Sequence, residues 1–324
     1  MKQISKPTIF ILALLSLLLF SGCNKNKTPA ARSVHIAIQP SAAFIPLYIA
    51  RFTKSLENAL AEKNVSVVWQ DFESGPSINE SLYADLSDIG LVGDVPTVLA
   101  LEKNNRMKLV GVPARGPNAY AMLVSKDNQS IKSYNDLADK KVATVFGSTG
   151  HNFSKKLLEK IGIGLDGVEF CNIAAGDAEL ALTSGSVDAL VIWEPNITRL
   201  VDKGLARVLV QGDEINLRGT NGFVVREEYL MQNRDIISII LNEYEAAAGR
   251  INSLEDEYKE DLASALGIHV EELLSIVQKY DYSVAITPED KASLQDTISF
   301  LVSINNLQSE YDIDESLDYS FCSK

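Results

Sequence analysis

Cysteine and histidine are scarce in this chain, with three of each in 324 residues. No two cysteines stand at CxxC spacing, so neither a zinc cluster nor a disulfide scaffold is written here. His35, His151 and His269 lie far apart, and HExxH, P-loop and GxSxG patterns are missing. No metal, cofactor or catalytic residue is therefore expected, and the chain reads as a non-enzyme. Basic charge is also in deficit. Thirty Lys and Arg against 43 Asp and Glu give a net charge of −13, which argues against nucleic acid and against electrostatic docking to anionic lipid.

What is present begins at the N-terminus. Lys2 and Lys6 precede an apolar run from Ile9 to Phe20, interrupted only by Ser16 and followed by Ser21-Gly22-Cys23. The run is too short for the ~20 residues that span a bilayer. A charged start, a short apolar segment and small residues before a cysteine resemble a bacterial lipoprotein export signal. The expected mature chain starts at Cys23, whose thiol would carry a diacylglycerol anchor on the outer side of a membrane, periplasmic or cell-surface. Removing the first 22 residues leaves 302, which at about 150 residues per domain suggests two domains.

Beyond a polar tether (23–33), alternating strands and helices predict an α/β fold built on parallel sheets. Strands are expected at Val34–Ile38, Val65–Trp69 and Ile89–Val92, with helices over Pro46–Leu60 and from about Ser77. A second unit repeats the pattern with strands at Lys141–Val145, Val168–Asn172 and Ala189–Ile192. Ser87 to Pro96 and Val187 to Pro195 echo each other one hundred residues apart: a turn and Asp, a buried strand, then an acidic residue and Pro. From Asp235 the chain turns helical. The expected organisation is one lobe from 34–113 plus 215–308, a second over 118–210, and an acidic tail from Ser309 that is solvated and partly loose. Arg115, near the proposed crossover, reads as a solvated hinge charge, with pairing to an anion as the alternative.

Ligands of such sheets sit beyond the carboxyl ends of the strands, against helix N-termini. Gly147-Ser148-Thr149-Gly150-His151 lies at one such end, with glycines for close approach and hydroxyls that cap a helix or meet an anion. Gln39 and Phe44 lie in the loop after the first strand. Ser77 with Glu80 spells a capping box that doubles as a binding candidate. Trp193 at a strand exit would face the cleft, and Asp94 and Glu194 either receive a ligand amine or cap helices. Gly162 to Gly167 spells GxGxxG, but it follows a helix and precedes a strand, the reverse of a dinucleotide fingerprint.

Ile38-Gln39-Pro40 with Pro46-Leu47-Tyr48, Asp88 to Pro96, Lys140 to Ala143, Gly147 to His151 and Val187 to Pro195, taken in order, resemble the ABC-transporter solute-binding proteins of the nitrate, sulfonate and taurine group. That group shares its fold with binding proteins for thiamine-pyrimidine precursors. The resemblance implies a periplasmic binding protein type II fold, two α/β lobes closing on a solute, with Ser148, Thr149, His151 and Trp193 lining the cleft. It also implies partners: a small organic anion, an ABC permease with its ATPase, and a membrane reached through the lipid anchor. The protein is expected to be monomeric. The alternatives are an aromatic heterocycle such as a pyrimidine or riboflavin as solute, an enzyme on the same fold, or a signalling or adhesin lipoprotein without transport.

Overall fold

The structure is a computed structural model and describes residues 32–102 and 106–321; the export signal, Cys23 and Cys322 lie outside them. Sheet 1 has the strand order β2-β1-β3-β11-β4, built from β1 (Arg32–Ile38), β2 (Val65–Asp71), β3 (Ile89–Gly93), β4 (Met107–Gly111) and β11 (Asn221–Arg226). Its residues alternate between two cores, as the two-residue period of a strand requires. Val34, Ile36, Ile38, Ile89, Leu91, Phe223 and Val225 face one core, while Ala37, Val92, Leu109 and Val224 face the other.

The first core is closed by α1 (Ile45–Phe52), α2 (Ser55–Ala61), α8 (Glu227–Gln232), α9 (Arg234–Arg250), α10 (Asp256–Leu266) and α11 (Val270–Val277). The second is closed by α3 (Gly75–Tyr83), α4 (Asp94–Glu102) and α12 (Pro288–Ser303). The single helix expected over 46–60 is two, because Lys54 turns into the left-handed region at φ 58° and starts α2 in a new direction.

Sheet 2 has the order β10-β6-β9-β7-β8, from β6 (Tyr120–Ser125), β7 (Lys141–Thr144), β8 (Glu169–Asn172), β9 (Ala189–Trp193) and β10 (Ala206–Gln211). Its core takes in α5 (Thr149–Lys160), α6 (Ala178–Thr183) and α7 (Asn196–Asp202). Both sheets are mixed rather than parallel. β11 runs antiparallel to β3 and β4, and β6 runs antiparallel to β9 and β10.

The sequence echo falls on equivalent positions. β3 and β9 are the central strands, each with a parallel neighbour on one side and an antiparallel one on the other. Asp88 accepts a hydrogen bond from the His35 amide at 2.9 Å, and Asp188 accepts one from the Lys141 amide at 2.9 Å. Each Asp therefore pins the start of the parallel neighbour to the central strand.

The chain crosses between sheets near β5 (Ala114–Arg115), which pairs with β12 (Asp281–Tyr282), and returns alongside, with the Gly116 amide donating to the Gly219 carbonyl at 3.2 Å. Arg115 is not solvated there. Its guanidinium is buried and its Nε donates to both carboxylate oxygens of Asp290, at 2.8 and 3.0 Å. The acidic tail is docked as far as Phe321. Ile313 is buried, Asp314 pairs with Lys291, and Asp318 pairs with Arg234 at 2.9 Å. Cations on the body neutralise the tail's charge, so it need not stand off in solvent.

Candidate functional site

A cavity enclosing about 290 Å³ of empty space, its opening to solvent included, lies between the two sheets. It is lined by Gln39, Ser41, Gly75, Gly93 and Pro96 from the first lobe, Tyr120, Ser148, Thr149 and Trp193 from the second, and Asn221 where the chain has returned. None of these side chains is charged.

Two helix N-termini from opposite lobes reach this cavity. At α3 the N-cap Ser74 places no side chain over the first amides, so the donors of that first turn are left without intrahelical partners. At α5 the Ser148 hydroxyl accepts from the Gly150 amide at 3.2 Å and donates to the Val145 carbonyl at 2.6 Å. The Thr149 amide has no backbone partner among the described residues. Each helix end also carries the positive end of its dipole. Trp193, at the exit of β9, and Tyr120 add aromatic walls.

Of the sequence candidates, the structure brings together Gln39, Ser148, Thr149 and Trp193. The others stand elsewhere. Phe44 is 1% exposed within the first core. Ser77 is the third residue of α3 rather than its cap, because the helix begins at Gly75 with Pro76 in its first turn. Gly147 turns the chain at φ 74° before α5 without reaching the cavity. His151 faces away from it and stacks on Phe146, ring centroids 4.9 Å apart, with the edges of Phe170 and Phe300 against it. Burial among those rings lowers its pKa.

Asp94 and Glu194 lie behind the cavity wall. Glu194 caps α7, accepting from the Thr198 amide at 3.1 Å and its hydroxyl at 3.0 Å, and it pairs with Lys279. Asp94 accepts from Asn152 at 2.8 Å, from Thr297 at 3.3 Å and from the Val95 amide at 2.7 Å. Burial pushes its pKa up, against hydrogen bonds from Thr149, Asn152, Val95 and Thr297 that pull it down.

Asn152 is on α5, while Asp94 and Thr297 are on α4 and α12, so this cluster ties the lobes together directly under the cavity. A second tie runs from the Ala42 amide to the Glu194 carbonyl at 3.3 Å. The site is thus seen with its lobes in contact.

Ser41, Gly75, Gly93, Pro96, Tyr120 and Asn221 complete the lining. Tyr120 and Asn221 open the antiparallel strands β6 and β11, whose first residues, not their last, point to the cleft. A search confined to strand carboxyl ends passes over them. The signal that would have found them is the polar or aromatic residue opening each returning strand.

A family model described as NMT1/THI5 like matches residues 61–251. The chain is 28% identical over 260 residues to an Escherichia coli strain K12 protein provisionally named as aliphatic sulfonates-binding, covering 80% of each. It is 26% identical to a Bacillus subtilis strain 168 protein of the same provisional name, covering 98% of this chain and 96% of the relative. Among solved structures, the alkanesulfonate-binding protein SsuA from Xanthomonas axonopodis pv. citri, bound to MOPS, superposes with a TM-score of 0.80 at 23% identity. That match covers 88% of this chain and 98% of the other, and it shows the shared fold.

Proposed function

The chain belongs to the NMT1/THI5-like family, and within it we propose an extracytoplasmic solute-binding protein of an ABC importer that captures a small organic anion, of sulfonate type, between its lobes. The observation that carries this reading is the convergence of two helix N-termini from opposite lobes on an uncharged cavity walled by Trp193. An anionic head placed there takes donors from both lobes at once. Binding therefore favours the closed arrangement by the difference in contacts between open and closed states.

In this reading the lobes are 34–113 plus 215–308 and 118–210, Gln39, Ser148, Thr149 and Trp193 touch the solute, and a permease with its ATPase receives it. Cys23 carries the lipid that holds the protein, as a monomer, on the outer side of a membrane, periplasmic or cell-surface. The chain binds and releases the solute without breaking bonds.

Thermal unfolding against a panel of alkanesulfonates, nitrate and pyrimidines tests the reading. A solute at 100 times its Kd stabilises by about 2.7 kcal/mol. Trp193→Ala combined with Ser148→Ala is expected to weaken the stabilising solute about tenfold or more, as loss of an aromatic wall and a helix cap implies. Unchanged affinity in that variant would remove the site assignment.

A further inference from the structure

Under the cavity lies a carboxyl without a cation. Asp94 is 1% exposed and opens α4 in the first lobe. Its oxygens accept from the Val95 amide at 2.7 Å, from Asn152 Nδ2 at 2.8 Å and from the Thr297 hydroxyl at 3.3 Å. Among the described residues, no lysine, arginine or histidine is in the set of groups acting on it. Asn152 belongs to the other lobe, and its own Oδ1 is buried with no hydrogen-bond partner. The cluster is short of a hydrogen. When the lobes part, α5 lifts Asn152 away and water reaches the carboxyl; when they close, that water is replaced by neutral groups alone. Burial without a counter-charge favours the protonated acid. A proton on Asp94 also supplies the missing hydrogen, donated to Asn152 Oδ1 once that amide is turned over, which exchanges its oxygen and nitrogen. The start of α4 favours the anion, but it does so in both arrangements and cancels from the difference.

Resting on the two-lobed capture described above, we propose that Asp94 is a positioning residue for closure and that the lobes take up a proton there when they close on the solute. It acts through Asn152, which holds the start of α5 against the first lobe. Burial keeps the carboxyl above its ordinary range in the closed arrangement. Closure is therefore least favourable where both arrangements are ionised, and it eases as pH falls through the closed value towards the open one of about 3.9. The neighbouring groups do not reproduce this. The Tyr120 phenol is pushed above its ordinary value and stays neutral. Lys156 pairs with Asp296 across the lobes, and Lys155 with Glu159 at 3.1 Å. His151 turns to the rings of Phe146 and Phe300, and its lowered pKa gives closure the opposite sign, proton release.

The test compares the native protein with Asp94→Asn, in which an amide carries the hydrogen at every pH and His151 is unchanged. In calorimetric titration with ethanesulfonate, which stays ionised throughout, the native protein is expected to bind about tenfold or more weakly than Asp94→Asn at about pH 8, the gap narrowing at least threefold by about pH 5. Repeating the titration near the lower pH in buffers of different ionisation enthalpy counts protons, and the native protein is expected to take up more than the variant. A gap that does not change with pH, or equal proton counts, would make Asp94 a structural acceptor and overturn the proposal while leaving the anion reading intact. If ethanesulfonate binds neither chain, the sulfonate reading falls, and small-angle scattering without solute decides the proton: compaction in acid by the native protein alone supports it, and equal radii at both pH values overturn it. Should Asp94→Asn fail to fold, His151→Gln takes its place. With the opposing group removed, net proton uptake on binding near the lower pH supports the proposal, and none overturns it.

Discussion

Asp290→Ala is expected to destabilise the protein by about 3–5 kcal/mol, the usual cost of breaking a buried ion pair from one side. The Asp290 side chain is fully buried and that of Arg115 is 7% exposed. Removing the carboxylate strands the guanidinium in the interior, with the exposed Asp281 at 4.0 Å as its one remaining counter-charge among the described residues. Arg218 loses its 2.8 Å partner, and α12 loses the reciprocal cap between Thr287 and Asp290. Urea unfolding at neutral pH measures the effect; a loss below about 1 kcal/mol would place the pair with exposed bridges in energy.

The pH dependence has a definite sign. Burial pushes the Asp290 carboxyl up, but hydrogen bonds from Arg115, Thr287 and Arg218 outweigh it and hold the pKa below the ordinary value. Its stabilising contribution is therefore full above the unfolded-state pKa of about 3.9 and is lost as pH falls through the lower folded value. The gap between the native protein and Asp290→Ala should narrow in acid. The double variant Arg115→Met with Asp290→Leu should recover much of the loss, since replacing both partners avoids the stranded charge.

The second large effect is expected on binding. A Cβ at Gly93 would lie 2.3 Å from the Thr149 Oγ1. Gly93 ends β3 in one lobe and Thr149 opens α5 in the other, so Gly93→Ala drives a methyl group between them. Thr149 cannot swing aside cheaply, because β-branched side chains are stiff at χ1 and the residue is 3% exposed. If the wedge leaves the lobes competent to close one time in a hundred, apparent affinity falls about 100-fold with the intrinsic contacts unaltered. Small-angle scattering should show a larger radius of gyration with solute present, and Thr149→Ala in the same chain should restore closure. Affinity within twofold of the native value would mean that the approach of Gly93 to Thr149 is not required for binding.

Both predictions rest on features unequally legible in the sequence. The strands of each sheet centre were readable because alternation and β-branched content survive without knowledge of partners, and the hundred-residue echo placed β3 and β9 in matching positions. The break at Lys54 was not readable, since a non-glycine left-handed residue leaves no compositional trace. Arg115 was misread because its partner stands 175 residues away; local sequence cannot tell a solvated charge from one paired at that distance. Phe44 and His151 occupy the right loops, yet each side chain follows its nearest apolar neighbours rather than the cleft. Asn221 escaped because strand direction, which decides the end that faces the ligand, is a tertiary property.

The return of the chain has a consequence for the order in which the molecule can be made. Every strand of sheet 2 is encoded in one uninterrupted stretch, from Tyr120 to Gln211. Sheet 1 places β11 between β3 and β4, so two strands emerging before residue 112 cannot be joined until residue 226 exists. A chain emerging N-terminus first can finish its second half-structure while the first remains an open template with unpaired strand edges. The element written in the middle is then the earliest complete one, and the first to be written is among the last to close.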